Sequence, residues 1–169
     1  MDLFDKLLGK KAAVEGTTEP GMLYLPIEGK VITLSEIGDG VFSEEVLGKG
    51  CGIKPTEDKV YAPVNGTVTN IAETKHAIGL LSEDGVEVLI HVGMDTVDMN
   101  GDDFTVLVKD GQKVKCGQPL LKFSADKIKA AGYSTTTAFV VTNTDDLLDV
   151  TVLKIGSIRK LTAVIKVEK

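Results

Sequence analysis

The two histidines of the chain, His76 and His91, are the residues whose type and placement best suit chemistry. They lie on consecutive segments of strand-like sequence, and the turn residues Ser82-Glu83-Asp84-Gly85 separate these segments. A neutral imidazole is a nucleophile near neutral pH because its ordinary pKa is about 6.5, and it is also a common zinc ligand. The spacing therefore predicts that both histidines lie on one β-hairpin.

The length of the hairpin turn decides whether the two imidazoles meet, because it determines which residues of the two strands lie opposite each other. A two-residue turn at Glu83-Asp84, or a four-residue turn at Ser82–Gly85, predicts that the histidines lie directly opposite each other. Their Cβ atoms would then be about 4.5–5.5 Å apart. A turn at Asp84-Gly85 makes them diagonal neighbours on one face, and a three-residue turn puts them on opposite faces.

The residues around the pair are consistent with a partly exposed site. Thr74 shares its face with His76, so its hydroxyl is placed to orient that ring. Gly93 has no side chain and lets a bulky group approach His91, while Asp95 brings a carboxylate nearby. The second segment has one wholly apolar face, formed by Val86, Val88, Ile90 and Val92. Its other face is less apolar and carries Glu87, Leu89 and His91.

Three interpretations of the pair remain open from the residues alone. A zinc site needs three or four ligands, and two histidines with Asp95 fall short unless a partner completes the set. In phosphoryl carriage, one histidine takes the phosphoryl group, and the second donates a hydrogen bond and positive charge to its oxygens. The third interpretation is a purely structural pair.

The composition limits the elements that position this hairpin. The chain has 169 residues, of which 43% are hydrophobic, and this fits a single domain with one core. Its net charge of −6 and the absence of tryptophan argue against nucleic-acid binding, which needs clustered cations and stacking surfaces. An acidic body suits partners with a basic face. The 18 glycines indicate many tight turns.

Short β-like runs alternate with turn residues along most of the chain. This pattern predicts an all-β fold, an antiparallel β-sandwich or barrel-sandwich with few short helices. Helical signal is limited to residues 43–47, 125–131 and 145–148. The predicted strands are Met22–Ile27, Lys30–Leu34, Gly52–Lys54, Val60–Ala62, Thr67–Thr74, Ala77–Leu81, Val86–Val92, Phe104–Val108, Val114–Phe123, Thr136–Thr142, Val150–Ile155 and Thr162–Val167.

Residues 1–21 differ from the rest and are predicted to be a flexible amphipathic tail and linker, with the folded domain at 22–169. An apolar stripe at helical spacing and flanking lysines predict weak membrane contact by residues 1–11. No run is long enough for a membrane span or a signal peptide, so the expected location is cytoplasmic. Cys51 and Cys116 are expected to be buried free thiols, with a single disulfide as the alternative. The apolar stripe within residues 1–11 consists of Leu3, Phe4, Leu7 and Leu8.

The histidine motifs closely resemble the glucose-type IIA domain of the bacterial phosphoenolpyruvate–sugar phosphotransferase system. The upstream motif is Thr74-Lys75-His76, and the downstream motif is His91-Val92-Gly93-Met94-Asp95-Thr96-Val97. Further stretches match the same family in the same order along the chain, at 41–43, 48–55, 62–66, 111–114 and 141–143. The resemblance extends from about Met22 to the C-terminus and implies a β-sandwich with a shallow apolar depression around the histidines.

The resemblance implies a role for each site residue. It makes His91 the phosphorylated residue, His76 the histidine that stabilises the phosphoryl group and assists onward transfer, and Thr74 the residue that orients His76. Asp39 and Asp95 match acidic residues near the site. The matching apolar rim positions, which dock partners, are Val41, Phe42, Val46, Leu89 and Val97.

The resemblance also implies partners. The phosphoryl donor would be the carrier HPr, and the acceptor would be a IIB domain of a sugar permease. No cofactor is required, although zinc held by His76 and His91 with a partner carboxylate is a secondary expectation. Regulatory targets are also known in the family, so a regulatory or binding module that uses the same surface is the alternative function.

Two unrelated classes fit the sequence less well. A lipoyl or biotinyl carrier needs a modified lysine in a tight hairpin, and the nearest match, Asp126-Lys127-Ile128, is in a helix-like stretch. A zinc peptidase needs a third histidine, which the chain lacks.

Overall fold

A computed structural model describes residues 18–169. The predicted amphipathic stripe and most of the predicted linker lie outside these residues. Within residues 18–169, no helix is long and apolar enough to cross a membrane. One α-helix, α1, is present in this part at Ala125–Ala130. The strands are β1 Met22–Tyr24, β2 Gly29–Thr33, β3 Lys49–Pro55, β4 Lys59–Tyr61, β5 Gly66–Ile71, β6 Ala77–Ser82, β7 Glu87–His91, β8 Phe104–Val106, β9 Lys113–Val114, β10 Pro119–Phe123, β11 Thr137–Val141, β12 Asp149–Val152, β13 Gly156–Ile158 and β14 Ala163–Glu168.

The strands form three antiparallel sheets. The large sheet has eight strands in the order β13-β2-β3-β11-β7-β6-β5-β9, and the small sheets have the orders β1-β14-β12 and β4-β10-β8. The predicted all-β fold with antiparallel sheets and little helix is confirmed. Three short 3-10 helices complete the secondary structure of residues 18–169, at Leu34–Ile37, Thr96–Met99 and Thr144–Asp146.

The alternation of β7 determines which face of the large sheet carries the site. Val88 and Ile90 are buried in the main core, while Leu89 and His91 project from the opposite face. β11, the neighbour of β7, is buried along its whole length because apolar groups cover both of its faces. The face opposite the main core therefore has a second apolar cluster of its own.

Several predicted elements differ from the structure in extent. The predicted strand Val114–Phe123 is two strands, because Gly117 with φ 94° turns the chain between them. Residues 43–47 form turns and not a helix, and Glu45 there has a positive φ of 59°. The helix predicted at 125–131 is confirmed as α1, and Cys51 and Cys116 are both buried and free.

Candidate active site

The imidazoles of His76 and His91 converge on the face of the large sheet opposite the main core. Their ring centroids are 4.6 Å apart and their planes are inclined by 84°, so one ring presents its edge to the other. His91 is the last residue of β7, and His76 directly precedes β6. His76 is only 6% exposed, whereas His91 is partly exposed. His91 is therefore the more solvent-accessible ring of the two.

The hairpin register that brings them together is not the predicted one. Ala77, not His76, is the partner of His91, and the Ser82 amide donates to the Val86 carbonyl, which leaves a three-residue turn. By strand alternation alone, a three-residue turn predicts that the two histidines lie on opposite faces. The rings nevertheless meet, because His76 belongs to the β5–β6 connection, where strand alternation no longer applies. Lys75, with φ 64°, turns the backbone there.

Small residues flank His91 on the large sheet. Ala77 of β6 and Ala138 of β11 flank His91 in register, and Gly52 of β3 lies beyond Ala138. Cross-strand neighbours of this kind are in side-chain contact range. Ala77 and Ala138 are 7% and 0% exposed, so the row is covered by neighbouring side chains that pack close to the sheet here.

A main-chain hydrogen bond determines the tautomer of His91. Its Nδ1 lies 2.9 Å from the carbonyl oxygen of Gly93. A carbonyl only accepts, so Nδ1 carries the proton, and in the neutral ring the lone pair is left on Nε2. Gly93 has φ 80°, and a Cβ there would collide with the Thr96 methyl and the Ser134 carbonyl. Nε2 is therefore the nitrogen of the His91 ring that can act as a nucleophile.

His76 is held from its opposite side by Thr74. The Thr74 hydroxyl lies 2.8 Å from Nδ1 of His76, which is the contact predicted from the sequence. The His76 carbonyl also accepts from the Val92 amide at 2.7 Å, so its backbone is tied to the residue that follows His91. Both rings thus have one nitrogen engaged and a defined orientation.

Burial keeps both rings neutral at physiological pH. Burial and, to a smaller extent, the neighbouring His76 lower the pKa of His91 to about 4, while hydrogen bonds to main-chain carbonyls and the Asp39 charge oppose this. Burial also lowers the pKa of His76, against a hydrogen bond from its ring to the Thr74 main chain. A protonated imidazole has no lone pair to donate, so the low pKa preserves the nucleophile.

The loop 39–47 builds one wall of the site. The Phe42 ring lies 5.0 Å from the His91 ring, centroid to centroid, and is only 5% exposed. The carboxylate of Asp39 anchors this loop by accepting from the amides of Phe42 and Ser43 at 3.1 and 3.0 Å. Burial opposes ionisation of Asp39, but these main-chain donors hold its pKa below the usual value. Asp39 therefore holds Phe42 against His91.

The comparisons with known proteins agree on one family. A model of the phosphoenolpyruvate-dependent sugar phosphotransferase system, EIIA 1, matches residues 21–147. The chain belongs to this family. The glucose-specific EIIA component of Staphylococcus aureus strain COL is 38% identical over 150 residues, which are 89% of each chain. The glucose permease IIA from Mycoplasma capricolum superposes with a TM-score of 0.80 at 32% identity, covering 85% of this chain and 94% of that one.

Other relatives of this EIIA chain are longer. The beta-glucoside-specific EIIBCA component of Bacillus subtilis strain 168 is 49% identical over 148 residues, which are 88% of this chain and 24% of the relative. The chain thus spans about a quarter of the length of that relative. EIIA components are phosphoryl relay proteins of the sugar phosphotransferase system, so family membership places this chain in that relay.

Among the predicted rim residues, Phe42 and Leu89 belong to the second apolar cluster, and the ring of Phe42 contacts that of His91. Val41 and Val46 are 43% and 66% exposed, and Leu89 is partly exposed beside His91. Asp95 is exposed and has φ 62°. Phe42 lines the ring of His91 and offers partners little surface. The side chain of Val97 lies outside the described part of the structure.

Sequence reasoning missed the residues beneath the rim. The second apolar cluster contains Leu34, Ala138 and Val140 around Phe42. The available signal was the continuous apolar run at 138–141 within a predicted strand, which is typical of a strand buried on both faces. Its partners are distant in sequence, so the run alone did not connect it to the histidines.

The histidine pair does not form a complete metal site within residues 18–169. No group of three or more histidine, cysteine, aspartate or glutamate side chains is placed there to hold an ion. Zinc needs at least three protein ligands in a catalytic site and four in a closed one. Two imidazoles therefore do not fit a resident zinc ion without a ligand from another molecule.

Removing the Phe42 wall is expected to raise the pKa of His91 from about 4 toward its ordinary value of 6.5. Phe42→Ala admits water to the ring and removes the burial that disfavours its charged form. The imidazole proton shifts of His91, followed by NMR against pH, measure this. Val41→Ala removes exposed apolar surface from the same loop and should leave the titration unchanged.

The same shift makes stability depend on pH. The folded pKa of His91, about 4, lies below the unfolded value of 6.5. In this window the unfolded chain binds more protons, so its free energy of unfolding falls as pH falls from 6.5 toward 4. Urea titrations across this range should show a weaker dependence in Phe42→Ala. Equal titration of His91 in that variant and in the parent would contradict the role assigned to the wall.

Proposed function

We propose that this chain is a histidine phosphocarrier that accepts a phosphoryl group on Nε2 of His91 from the phosphorylated form of HPr and passes it to a IIB domain. The observation that carries the proposal is the hydrogen bond from Nδ1 of His91 to Gly93, which leaves the Nε2 lone pair available. The partly exposed ring, the low pKa and the second imidazole at 4.6 Å support the same role.

Acceptance is a substitution at phosphorus. The Nε2 lone pair of His91 forms the new N–P bond while the bond from phosphorus to the donor nitrogen breaks. Nδ1 keeps its proton and its hydrogen bond to the Gly93 carbonyl. The reaction depends mainly on positioning and on stabilisation of charge. The ring of His91 is partly exposed, which gives the incoming group access to it.

Onward transfer reverses the roles. A cysteine thiolate of the IIB domain attacks phosphorus, the N–P bond breaks, and Nε2 of His91 regains its lone pair. The negative phosphoryl group raises the pKa of the neighbouring His76, because an opposite charge favours the protonated ring. A hydrogen bond and positive charge from His76 then stabilise the transferring group. Fusion of related EIIA domains with EIIB and EIIC domains, as in the EIIBCA components, supports IIB as acceptor.

The rim supplies the docking surface for these partners. Val41, Val46 and Leu47 are exposed apolar residues on the loop that packs against His91. Acidic groups at Asp39 and Asp95 lie on the loops around the site. An apolar centre with acidic surroundings suits partner faces that are apolar in the middle and basic at the edge.

The direct test is phosphorylation of the purified chain with phosphoenolpyruvate, enzyme I and HPr, followed by intact-mass measurement. One phosphoryl group is expected, labile in acid and stable in alkali, as a phosphorus–nitrogen bond requires. A reaction without HPr is the control and should leave the mass unchanged. An acid-stable adduct, or no adduct, would contradict the proposal.

A further inference from the structure

The residues Val92 and Gly93 connect the two histidines through the main chain. The Val92 amide donates to the His76 carbonyl at 2.7 Å, and the Gly93 carbonyl accepts from Nδ1 of His91 at 2.9 Å. These two groups belong to the planar peptides on either side of the Val92–Gly93 peptide, so the position of that central peptide affects both contacts. The orientation of this short segment decides where the lone pair of His91 lies.

Thr96 holds this segment from beneath. Its side chain is fully buried, and its hydroxyl donates to the Val92 carbonyl at 2.5 Å. Its methyl group lies where a Cβ on Gly93 would be, so it packs against that glycine, whose φ is 80°. On the other side, the Met94 amide donates to the Ser134 carbonyl at 3.1 Å. The Gly93 carbonyl shares its planar peptide with the Met94 amide, so Ser134 holds that peptide directly, and Thr96 holds the peptide that precedes it.

We infer that Thr96 is a positioning residue for the phosphoryl-accepting nitrogen: by holding the Val92 carbonyl it aims the Gly93 carbonyl at Nδ1 of His91 and so keeps the lone pair on Nε2. A neutral imidazole in water exchanges between two tautomers, and only one of them leaves Nε2 free. Thr96 touches neither ring and acts through Val92 and Gly93. The expected effect on rate rests on the proposed function, whereas the effect on the tautomer does not.

Two substitutions separate the hydroxyl from the bulk of Thr96. Thr96→Val keeps the shape but removes the donor, and Thr96→Ser keeps the donor but removes the methyl group. The chain has only two histidines, so long-range proton–nitrogen NMR spectra of the full chain labelled with nitrogen-15 histidine resolve both rings. A His76→Gln sample assigns the signals of His91.

Thr96→Val is expected to convert part of His91 to the tautomer with its proton on Nε2, and to slow phosphorylation by HPr about 10- to 100-fold, as losses of an orienting group commonly do. Thr96→Ser should keep the parent tautomer and most of the rate. Thr137→Val is the matched control, because Thr137 is equally buried and its hydroxyl also donates to a main-chain carbonyl, that of Thr135. That control should change neither readout.

A merely structural role for Thr96 would lower the urea midpoint but leave the nitrogen-15 signals of His91 unchanged in the folded protein. Unchanged signals and an unchanged rate in Thr96→Val would overturn the inference, as would equal behaviour of the Val and Ser variants. If the parent chain takes up no phosphoryl group, the proposed function fails, and the tautomer measurement alone still decides the role of Thr96.

Discussion

Replacing His91 by alanine is expected to abolish phosphoryl uptake completely. His91 is the partly exposed ring of the pair, and its Nε2 carries the only lone pair that the Gly93 hydrogen bond leaves free on that imidazole. His76 is not expected to take over, because it is only 6% exposed. Intact-mass measurement after incubation with phosphoenolpyruvate, enzyme I and HPr detects the loss.

The control for this variant keeps His91 and replaces His76. His76→Gln in the same assay should still gain one phosphoryl group, which shows that loss of one imidazole does not by itself prevent docking. Circular dichroism of both variants checks that the fold is intact. Persistent labelling of His91→Ala would place the acceptor at another residue and would contradict the assignment of His91.

His76→Gln is expected to slow donation to the IIB domain by about 10²- to 10³-fold, the usual cost of removing one group that stabilises developing charge. Glutamine keeps a hydrogen-bond donor but cannot become positively charged. The His76 imidazole, whose centroid lies 4.6 Å from that of His91, can take up a proton when His91 carries the negative phosphoryl group. Uptake from HPr should be nearly unchanged, because the nucleophile on His91 is intact. Rapid-quench measurement of phosphoryl transfer from the isolated phosphoprotein to the IIB domain provides the rate.

A second variant grades this effect. Thr74→Val removes the hydroxyl that lies 2.8 Å from Nδ1 of His76 but keeps the imidazole, so its donation rate should lie between those of the parent and His76→Gln. Equal donation rates in the parent and in His76→Gln would remove the role assigned to His76. A similar loss in uptake and in donation would instead indicate a defect in docking.

The class of fold and the identity of the paired histidines followed from local patterns. Alternation at Val88 and Ile90 against Leu89 and His91 is visible in the sequence, because successive side chains of a strand point to opposite faces. Both observations survive small errors in strand ends. The split of the predicted strand Val114–Phe123 at Gly117 shows how a turn within an apolar run is missed.

The predicted hairpin register was wrong for a definite physical reason. A change of one residue in the turn moves every side chain of a strand to the other face, and the residues 82–85 are compatible with several turn lengths. The rings converge despite the three-residue turn because Lys75, with φ 64°, releases His76 from the strand. No local pattern at His76 indicates this.

The sequence by itself determined that this protein is built from short strands and that His76 and His91 are its best candidates for chemistry, because strand alternation and residue type are local properties. Only the tertiary structure decided which nitrogen of His91 is free, how deeply each ring is buried and that Phe42 forms a wall. These properties depend on hydrogen bonds and packing that the folded backbone brings to the rings: the Gly93 carbonyl, the Thr96 hydroxyl and the apolar row of β11.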